Sequence, residues 1–248
     1  MPEPRLADSL IESFGHIIII NLPGRADRRR EIDRELRRFG LSLTHPAVTL
    51  FPAIRPKDDG GFPSIGAHGA FHSHLGVLEH VLAEGWDRAL ILEDDMGFAP
   101  DFAARLPALA TALATRDWHM LYGHPGHKPD QTPAPDAEGL IPLPADLGLI
   151  QLHFYAVTRD FAQTAVPDLR AMLTRPVGSP EGGPMHVDGA LNWVRRCHPE
   201  LTALAISPEI AGQRASRSDI AAPRWFDRLP LLRHLSAALR TYRQGKRR

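Results

Sequence analysis

A three-layer α/β fold built on a mainly parallel sheet is the class this sequence predicts, on three observations. Two apolar runs of strand length stop abruptly, His16–Leu22 at Pro23-Gly24 and Arg88–Leu92 at Glu93-Asp94-Asp95. Amphipathic helical stretches alternate with the strand-like runs, which is the order of a parallel sheet covered by helices. The composition, 43% hydrophobic and 23% charged over 248 residues, is that of a globular chain with material for one α/β core.

The first strand, HIIIINL, is β-branched and ends at Pro23-Gly24. A helix follows through Phe39, because Ile32, Leu36 and Phe39 share one face and Gly40 can close it. Residues 42–68 hold Pro and Gly without a sustained period, which predicts loops and one short strand near Val48–Ile54. A second helix, from about Gly69 to Glu84, aligns Phe71, Leu75, Leu78 and Leu82 and ends at Gly85. Arg88–Leu92 is then a buried strand that runs into Glu93-Asp94-Asp95. A helix near Asp101–Ala114 leads to a strand at Trp118–Tyr122. Residues 123–146 read as a long Pro/Gly-rich loop. Leu149–Thr158 alternates like a strand and is followed by a helix interrupted at Pro167. A Gly/Pro loop at 176–184, a helix near Val187–Arg196 and a short strand at Leu201–Ile206 complete the body.

Charge divides the chain in two. From Arg224 onward eight basic residues face one acid, so the tail carries +7 and residues 1–223 carry −7. Trp225, Leu229, Leu232, Leu235, Leu239 and Tyr242 recur at helical spacing there. The expected organisation is therefore one domain over 1–223 and a basic amphipathic tail over 224–248. Two readings of the tail stay open: a helix docked on its own domain, or an element that lies on an anionic membrane surface. Cys197 is the only cysteine, which suits a reducing compartment. The longest strongly apolar run, Ile17–Ile20, is far below the roughly 20 residues that span a bilayer. No apolar signal core is visible at the N-terminus. The expected location is cytoplasmic, peripheral on the inner membrane face where the tail binds lipid. An acidic body with basic and aromatic residues interleaved only in the tail speaks against nucleic acid as partner. No G-x-G-x-x-G follows the first strand and no P-loop motif occurs, so dinucleotide and P-loop chemistry lose support.

The strongest local signal is Glu93-Asp94-Asp95 at the end of a buried strand. In parallel α/β sheets ligands bind outside the carboxyl ends of the strands. Carboxylates this close repel one another unless a cation compensates. Oxygen ligands suit Mg²⁺ or Mn²⁺, and alternation places Glu93 and Asp95 on the same side of an extended segment. A solvated acidic turn or a helix cap is the competing reading. His74 falls at the margin of its helix's apolar stripe, where a hydrogen-bonded core histidine is the default. His72 and His74, two apart on a helix, diverge and do not make a zinc pair.

Taken in order, these pieces resemble glycosyltransferase family 25, the lipopolysaccharide and collagen galactosyltransferase-like group. Asn21-Leu22 with Arg25, Asp27 and Arg28 resembles its opening N-L-x-x-x-x-x-R segment, and Phe51-Pro52-Ala53 its aromatic–x–Ala segment. Gly69-Ala70-Phe71-His72-Ser73-His74-Leu75 resembles its G-[CA]-x-x-S-H-x element, with Ala70 at the cysteine position. Ile91–Asp95 resembles I-L-E-D-D, and Trp118–Gly123 and Tyr155 resemble later strand segments. His186-Val187-Asp188 and Pro208…Gln213…Ser218-Asp219-Ile220 resemble the closing segments. The resemblance covers roughly residues 15–221.

It implies a GT-A-like fold with a Rossmann-type sheet, and a nucleoside diphosphate sugar as donor, UDP-galactose being the commonest among relatives. It also implies a Mn²⁺ or Mg²⁺ ion held by Asp95 with Glu93, and Asp94 helping through water or ribose. Asn21, Arg25, Arg28, Ser73, His74, Gln213, Ser218 and Asp219 are the further donor-site candidates. The family looks inverting, which calls for one carboxylate base beside the acceptor, and Asp188 after its Gly/Pro loop is the candidate. A helix-capping role is the competing reading for Asp188. The acceptor implied is a hydroxyl of a cell-surface glycan or a lipid-linked lipopolysaccharide precursor. Loops 55–68 and 123–146, the latter with His124 and His127, match no family segment. Two other classes fit the acidic strand end: a Mg²⁺-dependent nucleotide-sugar phosphohydrolase, and a nucleotide-sugar-binding module without turnover.

Overall fold

The computed structural model describes residues 5–123 and 133–214. His124, His127, Ser218, Asp219 and the 224–248 tail lie outside the described residues. Six helices and nine strands follow in the order α1 (Leu6–Phe14), β1 (His16–Asn21), α2 (Ala26–Arg37), β2 (Val48–Pro52), α3 (Ile65–Glu84), β3 (Arg88–Glu93), β4 (Met96–Phe98), α4 (Phe102–Ala114), β5 (Met120–Tyr122), β6 (Leu140–Leu143), β7 (Phe154–Thr158), α5 (Arg159–Thr174), α6 (Val187–Cys197), β8 (Ala203–Ile206) and β9 (Ala211–Gln213) among the described residues. Seven strands form one sheet in the order β2-β1-β3-β7-β5-β8-β6, and β4 pairs with β9 apart from it. Five of the seven strands run one way, and β7 and β6 oppose them.

Strand β1 shows how the core is divided. Its alternate side chains separate into two apolar clusters, as a period of two requires. Ile18 and Ile20 face α3, α5 and α6 through Phe71, Leu78, Phe161 and Leu191. Ile17 and Ile19 face α1, α2 and α4 through Phe14, Leu36, Leu106 and Leu113. That is the three-layer α/β/α arrangement expected, with helices on both faces of a mostly parallel sheet. None of the described helices is long and apolar enough to cross a membrane.

The departures from the sequence reading have local causes. Helix α3 begins at Ile65 rather than Gly69, because Ser64 caps it and its Oγ accepts the Ala67 amide at 3.0 Å. Helix α5 runs on through Pro167, its apolar face of Phe161, Ala165 and Leu169 being fully buried against the sheet. Strand β6 falls inside the predicted long loop; its Pro142 is tolerated because β6 is an edge strand. Helix α1, and the three-residue strands β4 and β9, carry too short a pattern to be read in advance.

Two contacts set the walls around the carboxyl edge of the sheet. A Cβ on Gly69 would stand 2.6 Å from the Ile54 carbonyl oxygen, so only glycine lets α3 approach the chain leaving β2 this closely. On the other side, α6 fastens the segment that precedes β7. The Asn192 amide donates to Leu149 O at 2.6 Å and accepts from Leu149 N at 3.0 Å. Buried Arg195 donates to Pro144 O at 2.6 Å and to Leu147 O at 3.1 Å. Both partners of the Asn192 clamp are backbone groups that water does not replace easily. Asn192→Ala should therefore lower stability by about 1–3 kcal/mol in urea or thermal unfolding.

Candidate functional site

The carboxyl ends of β1, β2 and β3 open into a cleft of about 350 Å³. One wall is apolar, made by Leu22, Ala53, Ile54, Pro56 and Ile65, with Ile54 and Ile65 exposed at its rim. The opposite end is polar and holds Arg28, Glu93, Asp94, Asp95, His74 and Gln213. Glu93 ends β3, and the turn after it puts Asp94 and Asp95, each about 95% buried, between β3 and β4.

Asp94 is fully engaged. Arg28 Nη1 donates to its Oδ1 at 2.8 Å and Asn21 Nδ2 to its Oδ2 at 2.5 Å. Burial nevertheless raises the Asp94 pKa above its ordinary value, against the pull of Arg28 and Asn21. Asp95 is engaged on one oxygen. Its Oδ2 accepts from Gln213 Nε2 at 3.1 Å and lies 3.4 Å from Arg28 Nη1. Its Oδ1 is buried and accepts no hydrogen bond. Burial, then the charge of Glu93, push the Asp95 carboxyl up to about 6.

Glu93 is held from α3. Burial pushes its pKa up, but the hydrogen bond with His74, with His153 and Arg28 nearby, more than offsets this and leaves it below the ordinary value. The two contacts of His74 fix its tautomer by inference. An ionised Glu93 accepts only, so His74 Nε2–H donates to Glu93 Oε1 at 3.3 Å. Nδ1 then accepts from the Tyr155 hydroxyl at 2.8 Å, and burial keeps that phenol protonated by raising its pKa well above 10.0.

The structure thus brings Asn21, Arg28, His74, Glu93, Asp94, Asp95 and Gln213 together at one edge. Gln213 arrives through the antiparallel pair Met96↔Gln213 of β4 and β9. Other candidates do different things. Ser73, also at the cleft, donates to Gly69 O at 2.7 Å and accepts from Ile54 N at 2.8 Å, so it fastens the chain after β2 to α3. Arg25 pairs with Asp27 at 2.9 Å at the start of α2 and does not line the cleft. Asp188 lies in the first turn of α6 outside the cleft lining; its Oδ1 accepts the Gly189 amide at 2.8 Å. The charge of Asp188 reaches the Tyr122 phenol, whose pKa burial pushes up to about 12.

Two residues that the sequence reading missed complete the edge. Arg214 donates from Nη2 to Asp94 O at 2.6 Å, and its amide donates to Asp95 O at 2.8 Å. His153, 3% exposed, joins Glu93 and Asp95 in a group whose donor atoms lie within 4.8 Å of one another. The available signal was a histidine inside an otherwise apolar run, LIQLHFYAVT.

A Rossmann-like α/β sheet of the GT-A kind, with an acidic cleft at its carboxyl edge, is the class that fold and site define. The resemblance read from the motifs is matched by a partial similarity to curated sequences, several of them named as members of glycosyltransferase family 25. The chain is 29% identical over 132 residues to a "Glycosyltransferase 25 family member" of Anopheles gambiae, covering 44% of this chain and 22% of that protein. It is 28% identical over 127 residues to a "Probable inactive glycosyltransferase 25 family member 3" of Rattus norvegicus, covering 44% and 22%. It is 26% identical over 128 residues to "Procollagen galactosyltransferase 1-B" of Xenopus laevis, covering 44% and 21%. The match spans about a fifth of the length of these relatives. No family model matches the chain.

An acid whose folded pKa is raised holds its proton more tightly folded than unfolded. Stability of the ligand-free protein therefore falls as pH rises from 3.8 towards about 6 on account of Asp95, and the cost persists above that. Asp95→Asn removes the cost, and should raise the ligand-free Tm at pH 8 by about 5–10 °C, for roughly 3 kcal/mol. Differential scanning calorimetry reads this directly.

Proposed function

We propose that this protein is an inverting glycosyltransferase that moves a hexose from a nucleoside diphosphate sugar to an acceptor hydroxyl. The observation that carries the reading is the buried oxygen of Asp95 that accepts no hydrogen bond, on a residue that lines the cleft beside Glu93. A folded chain leaves such an atom uncompensated at a cost, unless a ligand satisfies it. The names of the Anopheles and Xenopus relatives support the transferase class, and the Xenopus name supports galactose as the sugar.

The residues present fit a divalent ion. Glu93 and Asp95 offer oxygens close together, and Asp94 is occupied by Arg28 and Asn21, so the pair that alternation selects is the pair left available. Mn²⁺ or Mg²⁺ held there would supply positive charge to offset the leaving diphosphate. The remaining chemistry falls to side chains. The apolar wall of Leu22, Ala53 and Ile54 receives the nucleoside, and the polar end receives the diphosphate. Arg28 keeps Asp94 fixed, and His74 keeps Glu93 ionised and oriented. Asp188, on the Tyr122 side of the sheet, takes the proton of the acceptor hydroxyl as that oxygen attacks the anomeric carbon. UDP-galactose is the donor in this reading, and a lipid-linked glycan precursor the acceptor. The basic residues of 224–248 bind the anionic surface that carries it.

The rat relative's name marks the competing reading, a binding module without turnover. A thermal-shift panel and product analysis together decide. A UDP-sugar at 100 times its dissociation constant should stabilise the wild type by roughly 2.7 kcal/mol, a rise of about 5–10 °C, only when Mn²⁺ or Mg²⁺ is present. Asp95→Asn should lose that rise. Identical rises without metal and in the variant would end the metal-and-diphosphate reading. Mass spectrometry should find a glycosylated acceptor, with sugar phosphate or free sugar absent; binding without any product would favour the silent module. Asp188→Asn should keep the donor-induced rise while the turnover rate falls on the order of 10²–10⁴-fold.

A further inference from the structure

Strand β7 runs against β3 with Arg88 opposite Thr158 and Leu92 opposite Phe154. One further step places His153 opposite Glu93, and the Glu93 amide donates to His153 O at 3.1 Å. Residues directly opposite in an antiparallel pair project their side chains to the same face. His153 therefore stands on the face that Glu93 and Asp95 share, and the 4.8 Å limit on their donor atoms is the size of one ion's ligand shell. The segment that delivers it is held rigid. Asn192 and Arg195 fasten Pro144, Leu147 and Leu149, and Gln151 takes φ 78°, the only positive value among the described non-glycine residues. A non-glycine residue is kept in that region at a cost, by the structure around it.

We propose that His153 is the third protein ligand of the ion held by Glu93 and Asp95, and that its imidazole makes the site prefer a first-row transition ion over Mg²⁺; this rests on the metal reading above. Mg²⁺ takes oxygen ligands in a near-ideal octahedron and gains little from an imidazole nitrogen. First-row transition ions accept nitrogen and carboxylate oxygen together.

The test uses the protein with Mn²⁺ alone, without donor or acceptor. Pulsed electron paramagnetic resonance of the wild type should show ¹⁴N modulation from a coordinated ring nitrogen. Competition titration should show Mn²⁺ bound roughly tenfold or more tightly than Mg²⁺. In His153→Gln, the modulation should vanish and the preference collapse, while Mg²⁺ affinity stays within about twofold because both carboxylates remain. The wild-type spectrum decides even where that variant does not fold. Mn²⁺ bound by the wild type without ¹⁴N modulation, or an unchanged preference in folded His153→Gln, overturns the role of His153 and leaves the two-carboxylate site standing. No Mn²⁺ binding by the wild type, or full affinity in Asp95→Asn, overturns both.

Discussion

The carboxyl edge of the sheet depends on one buried ion pair. Three consecutive acids end β3, and Arg28 from α2 reaches across 66 residues of sequence to meet the second of them at 2.8 Å. Removing one partner of such a pair strands the other charge, at several kcal/mol. The pair therefore pins the first turn of α2 to the end of β3, and with it the mouth of the cleft. It also sorts the acids: Asp94 is satisfied by protein, while Glu93 and Asp95 are left with oxygens facing each other. The raised pKa of Asp95 goes with that sorting: burial, then the charge of Glu93, disfavour its ionised form against the pull of Arg28 and Gln213.

Residues that look like ligand contacts in the sequence prove to have two kinds of role. Gly69 and Ser73 bring α3 within reach of the chain after β2 and hold it there. His74 has both ring nitrogens committed, one to Glu93 and one to Tyr155, so it sets the state of a carboxylate. Their effect on a ligand passes through the shape and charge of the wall.

Much of this was legible in the chain itself, where the pattern was long or the chemistry expensive. The isoleucine run of β1 and the amphipathic stripes of α2, α3 and α6 gave layers and directions. Three acids after a buried strand marked the edge. Short-period information failed elsewhere for a physical reason: β4 and β9 are three residues each, and nothing within either shows that they pair with each other. His153 was visible only as a histidine within a strand-like run, with nothing local to say what it faces. Its relevance comes from the register of β7 on β3, a contact across 60 residues of sequence, and no local periodicity encodes it. Arg25 was legible as a charge at the right place, but its partner turned out to be Asp27, two residues away. The importance of Asp188 is still a matter of which substrate stands beside it.

The reversed direction of β7 has a consequence for how this architecture can diversify. Its neighbours β3 and β5 bring their carboxyl ends to this edge of the sheet, where each strand has finished and a turn must start. Strand β7 presents its beginning instead, so the linker that feeds it, residues 144 to 153, ends beside Glu93. Substitutions there that keep the backbone anchors at Pro144, Leu147 and Leu149 can alter what that edge offers without shifting any ladder of the sheet. Descendants of one scaffold can thereby change the side chains presented at that edge between fixed anchors, while the framework that positions them stays.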